Sequence, residues 1–93
     1  MEYDKDKVDE VTLALLSLVI HEETEFGARA WKGFDWDTME RLHEKGWISN
    51  PVGKAKSVVL PPESVARARE LFVQHFGVSR NPPEPNSGQN KVI

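Results

Sequence analysis

The chain has 93 residues, with twelve basic and fifteen acidic side chains, a net charge of −3 and no cysteine. That length sets an expectation of one small domain, and the missing cysteine excludes a disulfide framework, a thiolate metal site and a cysteine nucleophile. The acid excess disfavours a globally basic nucleic-acid binder, because Lys and Arg at phosphates supply most non-specific affinity.

The charge is uneven. Residues 1–25 carry −6, residues 26–60 carry +2 and residues 61–93 carry +1. The start, Met1 to Asp6, is acidic where an export signal would be basic. The most apolar run, Val11 to Ile20, is ten residues long. A bilayer span takes about 20. The run therefore reads as a core helix, and the protein as cytoplasmic with no membrane partner.

Residues 5–24 read as the first helix, with Asp4 or Asp6 as its cap. Val8, Val11, Leu15, Leu18 and Val19 form one apolar stripe at helical spacing. Leu13, Leu16 and Ile20 form a second beside it. A helix apolar over more than half its circumference is covered on more than one side. Either it is central in the domain, or Leu13, Leu16 and Ile20 form the seam of a homodimer. Glu22, Glu23 and Glu25 crowd its C-terminal end, where the helix dipole disfavours them.

Residues 26–34, between Gly27 and Gly33, are ambiguous and long enough for one or two helical turns. Residues 36–45 read as a second helix. Asp37 with Glu40 fits a capping box, with Asp35 as the alternative cap. Gly46 suits a left-handed C-terminal position. Asp37 and Arg41 form an i,i+4 pair on a solvated face. Trp47-Ile48, a tip around Gly53 and Ser57 to Leu60 read as a hairpin. Pro62 opens a last helix, with Val65, Ala68, Phe72 and Phe76 on one face, and Gly77 ends it. Residues 78–93 have the composition of a disordered tail.

This order gives an α+β domain, mostly helical, of winged helix-turn-helix type over residues 3–77. The stretch Leu42 to Leu71 resembles the C-terminal half of winged-helix bacterial regulators. The closer resemblance covers roughly residues 3–77. It rests on AWKGFDWDTMERLHEKGWIS (30–49), PVGKAKSVVL (51–60) and the opening from Tyr3-Asp4 to Leu18. These segments are similar to a family of short uncharacterised bacterial proteins, domain of unknown function 6429. Members often carry Thr-Glu-Glu-Gly after the strand leucine, where this chain has Pro61-Pro62-Glu63-Ser64. The resemblance implies no activity.

Motifs for chemistry fall short. His21-Glu22-Glu23-Thr24-Glu25 starts like a zinc-protease helix, but Glu25 stands where the second histidine belongs. Pro51 to Ala55 lacks both the first glycine and the hydroxyl residue of a phosphate loop. No catalytic residue, metal or cofactor is expected, and no small-molecule substrate is evident. Two features remain. Trp31, Phe34, Trp36 and Trp47 cluster around the second helix; they either complete the core of a small domain or leave one face as a docking surface, tryptophan being enriched at binding hot spots. Arg29, Lys32, Lys54 and Lys56 surround the hairpin, where a wing lysine would meet DNA phosphate. Against DNA stand Asp35, Asp37, Glu40 and Glu44 on the helix that would read the groove. The reading is a non-catalytic cytoplasmic interaction or adaptor module. A homodimer through the first helix is included in it, and a winged-helix DNA-binding regulator is the alternative.

Overall fold

The computed structural model describes residues 1–78. All of the expected tail except Val78 lies outside the described residues. Helix α1 spans Lys5–Leu16 and is capped by Asp4, whose carboxylate accepts from the Lys7 N–H at 3.0 Å. One 3-10 turn, Ser17–Val19, follows. Strands β1 (Ile20–Thr24) and β2 (Gly27–Trp31) come next, then helix α2 (Trp36–Glu44). Strand β3 (Ser57–Leu60) and helix α3 (Pro62–Phe76) complete the domain. The strands form one antiparallel sheet in the order β1-β2-β3.

The α+β class holds, with more helix than strand. Its strands fall partly elsewhere than expected. The first helix stops at Leu16, not at residue 24, and Ile20–Thr24 is a strand. Three glutamates beyond residue 21 would have faced the negative end of the helix dipole. In the strand Glu22 and Glu23 meet Arg29 and Arg69 instead. Residues 27–31 are a strand and not helical turns. They alternate by two, with Ala28 and Ala30 buried and Arg29 and Trp31 exposed. Alternation of that period belongs to a pleat, not a helix.

The hairpin therefore lies at residues 20–31, ahead of α2, rather than at 47–60. Of the expected later hairpin only Ser57–Leu60 is a strand, and its partner is β2. Trp47 and Ile48 form no strand. The returning loop hydrogen-bonds to β3 through Ser49. The Ser49 N–H donates to the Val59 carbonyl at 2.9 Å, and Ser49 Oγ accepts from the Val59 N–H at 2.8 Å. Pro51, which has no N–H for a ladder, ends the pairing there. Asp35, not Asp37, caps α2, accepting from the Thr38 N–H at 3.1 Å. Gly46 follows that helix at φ 78°, as a left-handed cap requires.

Helix α3 packs on β2 and β3, with α1 beside it and α2 beyond α1. The core draws Leu13 and Leu16 from α1, Met39 and Leu42 from α2 and Val58 and Leu60 from β3. Ala28 and Ala30 of β2 and Val65, Ala68 and Leu71 of α3 complete it. The two small alanines allow α3 to approach the sheet closely. The helices cover this face only.

Candidate interaction surface

The second face of the sheet is open. It is built by alternation. Ala28, Ala30, Val58 and Leu60 point to the core, so Arg29, Trp31 and Val59 point outward. In β1 the ladder shifts between Ile20 and Glu22, which pair with the consecutive residues Ala30 and Arg29. His21 is the extra residue of this bulge. It turns outward and stacks on Trp31, with ring centroids 3.9 Å apart and planes 23° apart. Bulges commonly re-aim a side chain in this way. Glu22 lies 3.7 Å from Arg29, and both side chains are at least half exposed.

The centre of the face is thus Trp31, Val59 and the Arg29–Glu22 pair. Phe26, at the tip of the β1–β2 hairpin, is 82% exposed, and Trp31 is 48% exposed. A shallow depression beside Phe26 is lined by Glu22, Thr24, Phe26, Arg29 and Val59. Exposed apolar area grouped on one face with a mixed-charge rim is the pattern of a docking site.

The four aromatic residues of the expected cluster are not brought together. Trp31 is on the open face. Phe34 is half-buried against the core. Trp36, the first residue of α2, is 49% exposed. Trp47 is half-buried, with Lys45 Nζ 5.0 Å and the Arg67 guanidinium 5.9 Å from its ring centroid.

The apolar α1 residues also divide differently. Leu13 and Leu16 are fully buried within the chain, and Ile20 is half-buried against the same core. This second stripe is therefore interior and unavailable as a dimer seam. The outward row is the first stripe, with Val8, Val11 and Leu15 half-buried and Leu18 exposed.

The basic residues divide as well. Arg29 sits on the open face, and Lys54 and Lys56 are exposed beyond its end. Lys32 is committed: its ammonium donates to the Pro51 carbonyl at 2.5 Å and to the Gly53 carbonyl at 3.1 Å. It ties the loop 50–56 to the end of β2. Lys32→Ala is expected to lower stability by about 1.5 kcal/mol, the scale of hydrogen bonds from a charged donor. Urea unfolding with an unchanged slope checks it.

Arg41 does not pair with Asp37. It reaches across to Asp9 of α1, whose side chain is fully buried. Arg41 Nε donates to both Asp9 oxygens at 2.9 and 3.1 Å, and Lys45 Nζ lies 2.9 Å from Asp9 Oδ2. Lys45 also meets Asp6 at 2.9 Å. Burial alone would raise the Asp9 pKa. The hydrogen bonds from Arg41 and Lys45 outweigh it and hold the carboxyl below its ordinary value. Lys45 is raised in turn by its bonds to Asp9 and Asp6. A similar surface pair joins β1 to α3. Arg69 donates to both oxygens of Glu23 at 2.7 and 2.9 Å, which holds the Glu23 pKa down.

Sequence reasoning missed Phe26, Val59, His21 and Glu22 as parts of one surface. The alternation of residues 27–31 was the signal that could have found it.

The fold defines a small α+β domain with a half-covered antiparallel sheet. Residues 4–78 match a family described as a domain of unknown function, DUF6429. The chain is 53% identical over 76 residues to "Uncharacterized protein y4hR" of Sinorhizobium fredii. That alignment covers 82% of this chain and 97% of the relative. The chain belongs to this family of uncharacterised bacterial proteins. No solved structure matches it. No helix among the described residues is long and apolar enough to cross a membrane.

Proposed function

We propose that this chain is a non-catalytic, cytoplasmic protein-interaction module that docks through the open face of its sheet. One observation carries the reading. The sheet is covered by helix on one side only, and the bare side presents Trp31, Val59 and Phe26 around an exposed ion pair. Trp31 is already held flat by His21. A rigid aromatic of this kind loses little entropy on binding.

The DNA-binding alternative has less support. Arg41 of α2 and Lys45 just beyond its end are engaged by Asp9. The acids that α2 shows to solvent are Asp37, Glu40 and Glu44, which repel phosphate. Self-association through Leu13 and Leu16 likewise loses support, because both are core residues.

A photoreactive residue at position 59, in the host cell, tests the proposal. Protein adducts of defined mass are expected there, and none from the same group at Glu70 on α3. Trp31→Ala should reduce adduct yield at least about tenfold, the hot-spot scale, while leaving the melting temperature nearly unchanged. Absence of protein adducts, or adducts that nuclease removes, would overturn the reading.

A further inference from the structure

Residues 50–56 lead into β3 with neither helix nor strand, and residues 52–56 are exposed. Few contacts hold this segment down. The Pro51 ring is fully buried, and the Asn50 side chain accepts from the Val52 N–H at 2.9 Å in a local turn. Among the described residues, every hydrogen bond from residues 50–55 to the rest of the domain ends on one group, the Lys32 ammonium. Its two acceptors, the Pro51 and Gly53 carbonyls, stand on either side of Val52. The same ammonium has no carboxylate partner among the described residues.

What the segment holds in place is Ser49. The Lys32 N–H donates to the Lys56 carbonyl at 3.1 Å, which continues the β2–β3 ladder past the Trp31–Ser57 pair. An antiparallel ladder turns the backbone groups of alternate residues to opposite sides. Val58 and Leu60 therefore direct theirs at β2, and Ser57 and Val59 direct theirs away from it. Ser49 takes up both groups of Val59. A segment tied by so few and such exposed hydrogen bonds opens locally at a free energy below that of the whole domain.

From this we infer that residues 49–56 are a strap over the outer edge of β3, fastened by Lys32, and that two chains with the strap open pair through that edge. The occupant follows from the residues released. Ser57 to Leu60 carries no charge and has two adjacent β-branched valines, so the same edge of a second copy fits against it running the opposite way. The edge of β1 is less suited to its own copy, because Glu22 and Glu23 would oppose like charges. Pairing through β3 joins two three-stranded sheets into one continuous sheet. It uses backbone groups and leaves the open face, with Trp31, out of the contact.

Native-state hydrogen exchange of the full chain in increasing urea tests the strap. The Ser49 and Val59 amides should exchange together, with little dependence on urea, and faster than the Val58 amide inside the sheet. Lys32→Ala should speed both about tenfold, the scale of lost hydrogen bonds from a charged donor. Lys32→Arg keeps a charged donor and should stay close to the wild type. Exchange of Ser49 and Val59 in step with Val58 at every urea concentration overturns the strap. Equal acceleration in Lys32→Arg and Lys32→Ala overturns its fastening by these bonds.

Sedimentation equilibrium of the same variants, up to about 1 mM, tests the pairing. Two straps must open for one pair, so tenfold in opening becomes about a hundredfold in the dimerisation constant of Lys32→Ala. Adding Trp31→Ala should leave that gain unchanged, which separates the edge from the open face. Far-ultraviolet circular dichroism shows that each variant is folded. A Lys32→Ala chain that opens more readily yet stays as monomeric as the wild type overturns the pairing. A gain that Trp31→Ala abolishes places the contact on the open face and overturns it equally.

Discussion

Asp9→Ala is expected to destabilise the domain by about 3 kcal/mol, the lower end for breaking a buried ion pair. The carboxylate is fully buried and satisfied by two cations, each of which keeps a partial route to water. Removing it leaves Arg41 and Lys45 side by side without the charge that draws them together. It also leaves a space between α1 and α2. Asp9→Asn keeps the volume and should cost less, which separates the charge effect from the cavity.

The same residue sets a pH dependence. Its pKa is held below the ordinary aspartate value of 3.8 in the folded chain. Its contribution is therefore fully present above that value and is lost as pH falls through the folded pKa. The stability gap between the wild type and Asp9→Asn should be widest near neutrality and close in acid. A gap that stays constant down to about pH 2 would show that the charge plays no part.

Gly27→Ala is the second large effect, at about 3 kcal/mol, the upper range for a strained backbone position. Gly27 opens β2 at φ 135°, a conformation that L side chains rarely adopt. A Cβ there would overlap the Leu60 carbonyl oxygen, which belongs to the neighbouring strand and cannot turn aside. Gly46 and Gly53 also have positive φ, but a Cβ at either would meet open space. Alanine at those two sites should cost only about 1–2 kcal/mol, the conformational part alone. Chemical denaturation of the three variants separates overlap from strain. Three equal losses would remove the steric argument.

Much of the helical frame was legible. Asp4, Pro62, Gly46 and Gly77 mark helix ends by chemistry that acts over three or four residues, and all four stand where that chemistry places them. The strands were less so, because their pairing is decided at a distance. Ser57 to Leu60 reads as a strand from its own residues. Its partner, β2, lies some 30 residues earlier, across a helix.

Ile20 to Thr24 was read as helix because the apolar residues at helical spacing that begin at Val8 run on to Ile20. Only the glutamates beyond argued otherwise. Asp9 shows the same limit. Nothing near it in sequence distinguishes it from a solvated acid. Its partners are 32 residues away for Arg41 and further for Lys45. The local rule paired Arg41 with Asp37, and burial of Asp9 overrode it.

The open face of the sheet was half legible. Trp31 and Arg29 were singled out, for different reasons and different partners. They share one surface only because β2 alternates. Trp47 and Phe34 were grouped with Trp31 by proximity along the chain, which α2 then separates. Helices three in number and a three-stranded antiparallel sheet are also the parts of a winged helix. Here they come in the order helix, hairpin, helix, strand, helix.

The paired hydrogen bonds between Ser49 and Val59 have a consequence for how the protein behaves when crowded. A sheet with a bare outer strand is a template on which further strands of other molecules can grow without limit. Here Ser49 occupies both backbone groups of Val59, at the middle of β3, so an incoming strand finds no continuous row to bind. The other border, β1, carries Glu22, Glu23 and Glu25, and like charges resist stacking in register. With both borders blunted, fibre growth is suppressed. What remains open to another chain is the broad side of the sheet, around Trp31 and Val59.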